Sequence, residues 1–323
     1  MDLSAEHTII PAQALPAEGV SSLAASVLAA VVYADLFDYP LTLDELVRYQ
    51  VGSHATKEEV AAALAGDAEL VSFVEELNGY YFVAGRGRLV WLRNEREAFS
   101  RKLWRKAAVY SRWVSRLPFV RMVAVTGALA VNNVGDLPDI DLLVVAQEGR
   151  VWLCRRALIM CVRLARLFND DLCPNYVISD RSLELDQRDF FTAHELAQMV
   201  PMYGLPVYHK MLRDNKWAAD YLPRAFASPN GNKKRVRRVP LKRNLERVLS
   251  NPVFDAWESW ELARLRAKLK PMLGTDAEVV CSPSQCKGHT SLNRKKVMVR
   301  YAQRLGRFSL DGALPAVLRQ DLG

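Results

Sequence analysis

Residues 123–145 read Val-Ala-Val-Thr-Gly-Ala-Leu-Ala-Val-Asn-Asn-Val-Gly-Asp-Leu-Pro-Asp-Ile-Asp-Leu-Leu-Val-Val, and the punctuation of this stretch decides the fold class. An apolar run ends in the small-residue turn Gly127-Ala128. Ten residues later Asp139-Ile140-Asp141 opens a second apolar run, Leu142 to Val145. Short apolar runs bounded by turn residues read as strands. Side chains two apart on a strand point the same way, so Asp139 and Asp141 share a face while Ile140 turns to the core. Two carboxylates on one side repel unless a cation lies between them. Mg²⁺ favours that setting: few carboxylates, several waters and the oxygens of a phosphate. The stretch predicts a metal–nucleotide site.

Outward from it, the elements alternate in type. Residues 1–20 contain Pro11 and Pro16, lack periodicity and read as a loose leader. A buried helix is expected from Ser22 to about Phe37. Thr42-Leu43-Asp44-Glu45 and Thr56-Lys57-Glu58-Glu59 each read as a capping box opening a helix, the second ending near Gly66. The apolar runs Leu70–Phe73 and Tyr80–Val83, linked through Asn78-Gly79, predict a hairpin. Three helices and a hairpin within residues 21–87 have the pattern of a winged helix. Residues 88–117 read as one basic connecting helix with interleaved Trp and Tyr, and residues 150–168 as another. A third strand is expected near Asp170–Ile178. A helical pattern from Asp189 to Tyr221 is broken at Pro201 and at Gly204-Leu205-Pro206, and its His194-Glu195 pair reads as helix surface. Residues 226–244 form a basic linker, and 245–323 a helical C-terminal region in which Gly288-His289 falls in a loop. The expected class is α+β: a winged-helix-like N-terminal domain, a mixed-sheet core over 118–225, and C-terminal helices.

Composition narrows the chemistry. Of 323 residues, 50% are apolar and 25% charged, which is ordinary for a globular chain. No apolar run approaches the roughly 18–20 residues of a membrane span, and no basic segment precedes Leu23–Leu36 to make it a secretory signal. Five cysteines without a Cys-x-x-Cys pair exclude a zinc-ligand spacing and read as idle thiols of a reducing cytoplasm. Residues 1–90 hold four Lys/Arg against thirteen Asp/Glu, a net of −9, leaving +17 on the rest of a chain of net +8. A polyanion would therefore dock on the body of the chain. The helix opened by Thr56 carries Lys57 beside Glu58 and Glu59, which argues against groove reading of duplex DNA.

The segment from Val123 to Val145 resembles the nucleotidyltransferase signature of the DNA polymerase beta superfamily: apolar strand, glycine turn, about ten residues, then Asp-x-Asp on a second strand. Gly127, Asp139 and Asp141 match it, and Ala128 stands where the family has Ser. The resemblance implies transfer of a nucleotidyl group from an NTP to a hydroxyl, with Mg²⁺ or Mn²⁺ held by Asp139 and Asp141. It implies nucleotide contacts at Thr126, Gly127 and Ala128; Arg155 or Arg156, near the first turns of the next helix, is positioned in the sequence to reach the triphosphate bidentately. It also implies a third carboxylate on or after the third strand. The candidates are Asp171, Asp180 and Glu184, while Asn175 occupies a position where an acid is expected. RNA or another protein is the expected acceptor. Two other readings stay open: a catalytically degenerate relative that binds nucleotide or RNA in a regulatory assembly, and a winged-helix DNA-binding regulator.

Overall fold

The computed structural model describes residues 22–135, 138–230, 240–269, 279–288, 293–308 and 314–322. The leader, residues 231–239 of the linker and His289 lie outside them. The described residues form a mixture of helices and two sheets, an α+β arrangement. A small sheet has the order β1 (Leu41–Thr42), β3 (Tyr80–Val83), β2 (Val74–Leu77), all antiparallel. The larger one has six strands in the order β7 (Val200–Tyr203), β4 (Val120–Val125), β5 (Asp139–Ala146), β6 (Asp171–Ser179), β9 (Gln285–Gly288), β8 (Val279–Cys281). Only β5 and β6 run parallel, and the helix Val151–Arg166 crosses between them.

Local chemistry accounts for the N-terminal elements. Both capping boxes form. Glu45 N–H donates to Thr42 Oγ1 (3.3 Å) while Thr42 N–H donates to Glu45 Oε2 (2.9 Å). Thr56 and Glu59 repeat the exchange at 3.2 and 2.7 Å. Each such cap contributes about 1 kcal/mol. Asn78 and Gly79 both have positive φ (55° and 81°), the backbone that a two-residue hairpin turn demands. The hairpin nevertheless starts later than its apolar pattern suggests. Asp67 accepts from the N–H groups of Glu69 and Leu70, both at 3.1 Å, and so caps a short helix, Ala68–Phe73, where a strand was expected. Strand β2 begins only at Val74.

The six-stranded sheet is covered on both faces, as its unbroken apolar run Leu142–Ala146 requires. Met122, Ala124, Leu143, Val145 and Ile178 pack against the helices Ser22–Asp35, Phe190–Gln198 and Asn293–Leu305 in one cluster. Val123, Val125, Ile140, Leu142, Val144 and Val177 face the helices Leu89–Arg116 and Val151–Arg166 in another. Leu103, Ala107, Tyr110 and Val114 form the buried stripe of the long helix, at helical spacing, and leave Arg101, Arg105, Arg112 and Arg116 to solvent. Fully burying a side chain of the size of Phe190 contributes roughly 1.5–3 kcal/mol.

Three further stretches depart from the sequence reading. Residues 200–203 form an edge strand despite Pro201, since an edge tolerates a missing N–H. The helix Pro240–Val248 takes the end of the expected linker, with Lys242 Nζ donating to the carbonyls of Ser115 (2.9 Å) and Val120 (2.6 Å). The C-terminal region adds the hairpin β8–β9 to the sheet, where a loop between helices was expected, and Gly288 ends its second strand. Among the described residues no helix is long and apolar enough to cross a membrane.

Candidate functional site

Strand β4 ends at Val125, and the N–H of Thr126 donates to the carbonyl of Asp141 (3.0 Å). This bond fixes the height of the following turn against β5. Gly127 then takes φ +64° and opens the one-turn helix Gly127–Ala130. A Cβ on Gly127 would collide with Asp141 Oδ2 and sit 3.2 Å from its Cγ. Only glycine lets the carboxylate lie against this turn. Ala128, next along, is exposed, and its carbonyl accepts from Asn133 N–H at 2.8 Å. Asn133 Nδ2 also donates to the carbonyl of Phe37 (2.9 Å), and Arg96 bridges the same two residues at 3.1 Å each.

On β5, Asp139 and Asp141 are half-buried on one face, and Ile140 is fully buried on the other. The parallel register brings Asp171 beside Asp139 and Cys173 beside Asp141. It then shifts across Pro174, which delivers Asn175 to the same carboxylate. Asn175 Nδ2 donates to Asp141 Oδ1, and Cys173 Sγ donates to Asn175 Oδ1 (2.8 Å). Ligand atoms of Asp139, Asp141 and Cys173 all lie within 4.8 Å of one another.

The electrostatics follow from this crowding. Burial pushes Asp141 up to about 7, and the charges of Asp139, Glu195 and Asp171 push the same way, against the Asn175 hydrogen bond. Burial, with the carboxylates of Asp141 and Asp139, raises the Cys173 thiol to about 12. A carboxyl that keeps its proton to neutrality among other carboxylates marks a place where a cation would relieve repulsion. Carboxylate oxygens suit Mg²⁺ or Mn²⁺, so Asp139 and Asp141 fit such an ion, whereas the Cys173 thiol, protonated and bonded to Asn175, does not serve it as a donor.

Glu195 is the residue that sequence reasoning missed. It sits on the helix Phe190–Gln198, N-capped by Asp189 through Thr192 N–H (2.8 Å). Its neighbour His194 is core, not surface. The imidazole is buried with Tyr33 at 4.1 Å and Phe190 at 4.4 Å between ring centres, and burial lowers it to about 3. That anchor holds the helix in register, with Glu195 close enough to press on Asp141. No spacing in the sequence links residues 54 apart; only the packing of this helix against the Gly127 turn does so.

Other expected members fall elsewhere. Asp180 N–H donates to the carbonyl of Ala146 (2.8 Å), and its carboxylate accepts from Glu148 N–H (3.0 Å). That is the far end of β5, roughly 20 Å from Asp139 at the rise of a strand. Glu184 pairs with exposed Arg188 further along. Of the three third-carboxylate candidates, Asp171 alone lies next to the aspartates, opposite Asp139 in the β5–β6 register, and the group of clustered ligand atoms does not include it. Arg155 lies on the opposite face of the sheet, where its Nε donates to Cys286 Sγ (3.1 Å), so it joins no group formed by Gly127 and the aspartates. Thr126 is buried beneath the turn. A cavity of about 360 Å³ lined by Pro118, Leu153, Met160, Val253 and Trp257 is apolar and is formed by other elements. Compared with known proteins, the chain matches no family model, no curated protein and no solved structure.

Proposed function

We propose that this chain is a nucleotidyltransferase of the DNA polymerase beta type, with a winged-helix-like module at residues 21–87 and a catalytic core at 118–225. In this reading Asp139 and Asp141 hold Mg²⁺ or Mn²⁺, and the Gly127-Ala128 turn receives the phosphates of an NTP. The observation that carries the reading is the seating of Asp141 against Gly127, with Asp139 and Asp171 on the same face. The metal, when bound, neutralises the triphosphate and aligns it for in-line attack by a hydroxyl. The protein's own part is positioning: Gly127 admits the phosphates without a side chain in the way, and Asn175 fixes the rotamer of Asp141. In this reading Glu195 or Asp171, whose charges both bear on Asp141, receives the proton of the attacking hydroxyl. The acceptor is RNA or a protein, recognised by the basic body of the chain.

A second reading rests on Ala128 and on Asn175 bonded to Asp141, where a Ser and an acid are usual. It is a nucleotide-binding relative without turnover. Purified protein incubated with α-labelled NTPs, Mg²⁺ or Mn²⁺ and total RNA decides between them. The enzyme releases diphosphate and labels an acceptor. Asp141→Asn then removes labelling, and Glu195→Gln weakens it more than Asp171→Asn. Saturable metal-dependent NTP binding with no diphosphate release selects the second reading. Salt-dependent duplex binding by the full chain, without NTP binding, revives a winged-helix regulator.

A further inference from the structure

On the far face of the six-stranded sheet, two cysteines stand opposite each other in a way their sequence spacing does not announce. Cys281 and Cys286 are cross-strand partners in the hairpin β8–β9. The next pair towards the turn, Ser282 and Gln285, is hydrogen-bonded, Ser282 N–H donating to Gln285 O at 2.9 Å. Alternation along an antiparallel ladder makes Cys281–Cys286 a non-hydrogen-bonded pair, the close kind, with Cα atoms about 4.5 Å apart. A disulfide needs Cα atoms roughly 4.4–6.8 Å apart, so this pair meets the requirement with no movement of the backbone.

The two thiols are not equivalent. Arg155, on the helix Val151–Arg166, donates from Nε to Cys286 Sγ at 3.1 Å, and its guanidinium is 5.9 Å from the ring centre of Trp152. Cys281 has its carbonyl taken by Arg266 Nε (3.0 Å) instead. Hydrogen bonding from Cys281 and the charge of Arg155 pull Cys286 below the ordinary thiol range, while Cys281 is pushed above it. The hairpin is also fixed to the sheet, by Ser179 N–H on Ser284 O (2.7 Å) and by Trp152 Nε1 on Ser282 O (3.1 Å).

We infer that Cys281 and Cys286, though only 9% and 6% exposed, are a reversible dithiol–disulfide site in which Cys286, hydrogen-bonded by Arg155, is the sulfur that attacks hydrogen peroxide, a reagent small enough to reach it. The Cys286 thiolate attacks one oxygen of hydrogen peroxide. An S–O bond forms, the O–O bond breaks, and the leaving hydroxide becomes water with the proton that the Cys286 thiol released to solvent on ionising. The Cys281 sulfur then attacks the Cys286 sulfenic acid. An S–S bond forms, the S–O bond breaks, and the leaving hydroxide takes the Cys281 proton as water. Two thiols and one peroxide give one disulfide and two waters, and an external dithiol reverses the change. The bond clamps β8 to β9, and Arg155 loses an anionic partner.

The experiment is peptide mass spectrometry of the full-length protein, reduced, treated with hydrogen peroxide, denatured and alkylated. The expected result is a Cys281–Cys286 disulfide lost on reduction, with Cys154, Cys161 and Cys173 still alkylated. In Cys281→Ser, dimedone traps Cys286 as the sulfenic acid and no disulfide forms. Arg155→Gln, checked for native circular dichroism, slows oxidation about tenfold. The inference is overturned if both cysteines of the wild-type chain remain alkylable at peroxide levels that oxidise Cys173. It is equally overturned if dimedone in Cys281→Ser labels another cysteine and leaves Cys286 free.

Discussion

Two buried or half-buried carboxylates, Asp35 and Asp141, stand in opposite company. Asp35 closes the first helix with one carboxylate oxygen on Arg86 and the other on Arg304, and Arg86 also reaches Asp38 at 2.6 Å. Its charge is matched by two guanidiniums, and the pairing joins the N-terminal helix to a helix near residue 300. Asp141 has an amide on one oxygen and a glycine turn against the other, and the charges bearing on it are Asp139, Glu195 and Asp171. The first carboxylate is there to hold the fold. The second is crowded by like charges, which the Asn175 hydrogen bond opposes, and that is the contrast the proposed cation site rests on.

Removing each carboxyl tests that contrast. Asp35→Asn leaves two guanidiniums around a neutral group and is expected to cost about 3–5 kcal/mol in urea unfolding, with metal binding retained in the folded fraction. Asp141→Asn is expected to leave unfolding at pH 8 unchanged or improved while Mn²⁺ affinity, read by electron paramagnetic resonance, drops more than about 100-fold. Equal destabilisation by both would erase the distinction. Gly127→Ala comes next in size. A strained positive φ and a methyl group driven into Asp141 are expected to cost about 1–3 kcal/mol and to weaken Mn²⁺ binding together. A fully stable variant with normal binding would show that the turn does not shape the carboxylate.

The smallest effect is on pH. Asp141 keeps its proton to about 7 in the folded chain, against an ordinary value of 3.8 that the unfolded chain approaches. A raised value contributes stability that is complete below about pH 4 and is lost as the pH climbs through 7. Melting of the metal-free protein should therefore show a loss on the order of 1–3 kcal/mol over that window. Mg²⁺ should restore it at pH 8 and do little at pH 5, and Asp141→Asn should flatten the curve. A melting temperature indifferent to Mg²⁺ at pH 8 would count against the site.

Legibility in the sequence followed the range of the interactions. The caps at Thr42 and Thr56, the Asn78-Gly79 turn and the alternation around Ile140 depend on residues within a few positions, and each was readable. Leu70–Phe73 was misread because an apolar run of four fits helix or strand alike, and the Asp67 side chain decided for helix. Strand β7 and the hairpin β8–β9 are stabilised by partners up to about a hundred residues away, which no local pattern announces. The same holds within the site. Asp139, Asp141 and Gly127 lie on one readable segment, whereas Glu195 arrives on a helix placed by the burial of His194. Arg155 and Asp180 were misplaced for a related reason: neighbourhood along the chain says nothing about which face or which end of a strand a side chain serves.

The contact of Asn133 and Arg96 with Phe37 gives the N-terminal module a consequence of its own. The loop that follows the Gly127 turn is tied to the end of the first helix, and that helix shares one apolar cluster with the face of the sheet that carries the aspartates. A fragment beginning near residue 118 would lack the partner that sets this loop and would expose a face built for burial. Replacing the end of the first helix would therefore disturb both the loop after Gly127 and the apolar face of the sheet.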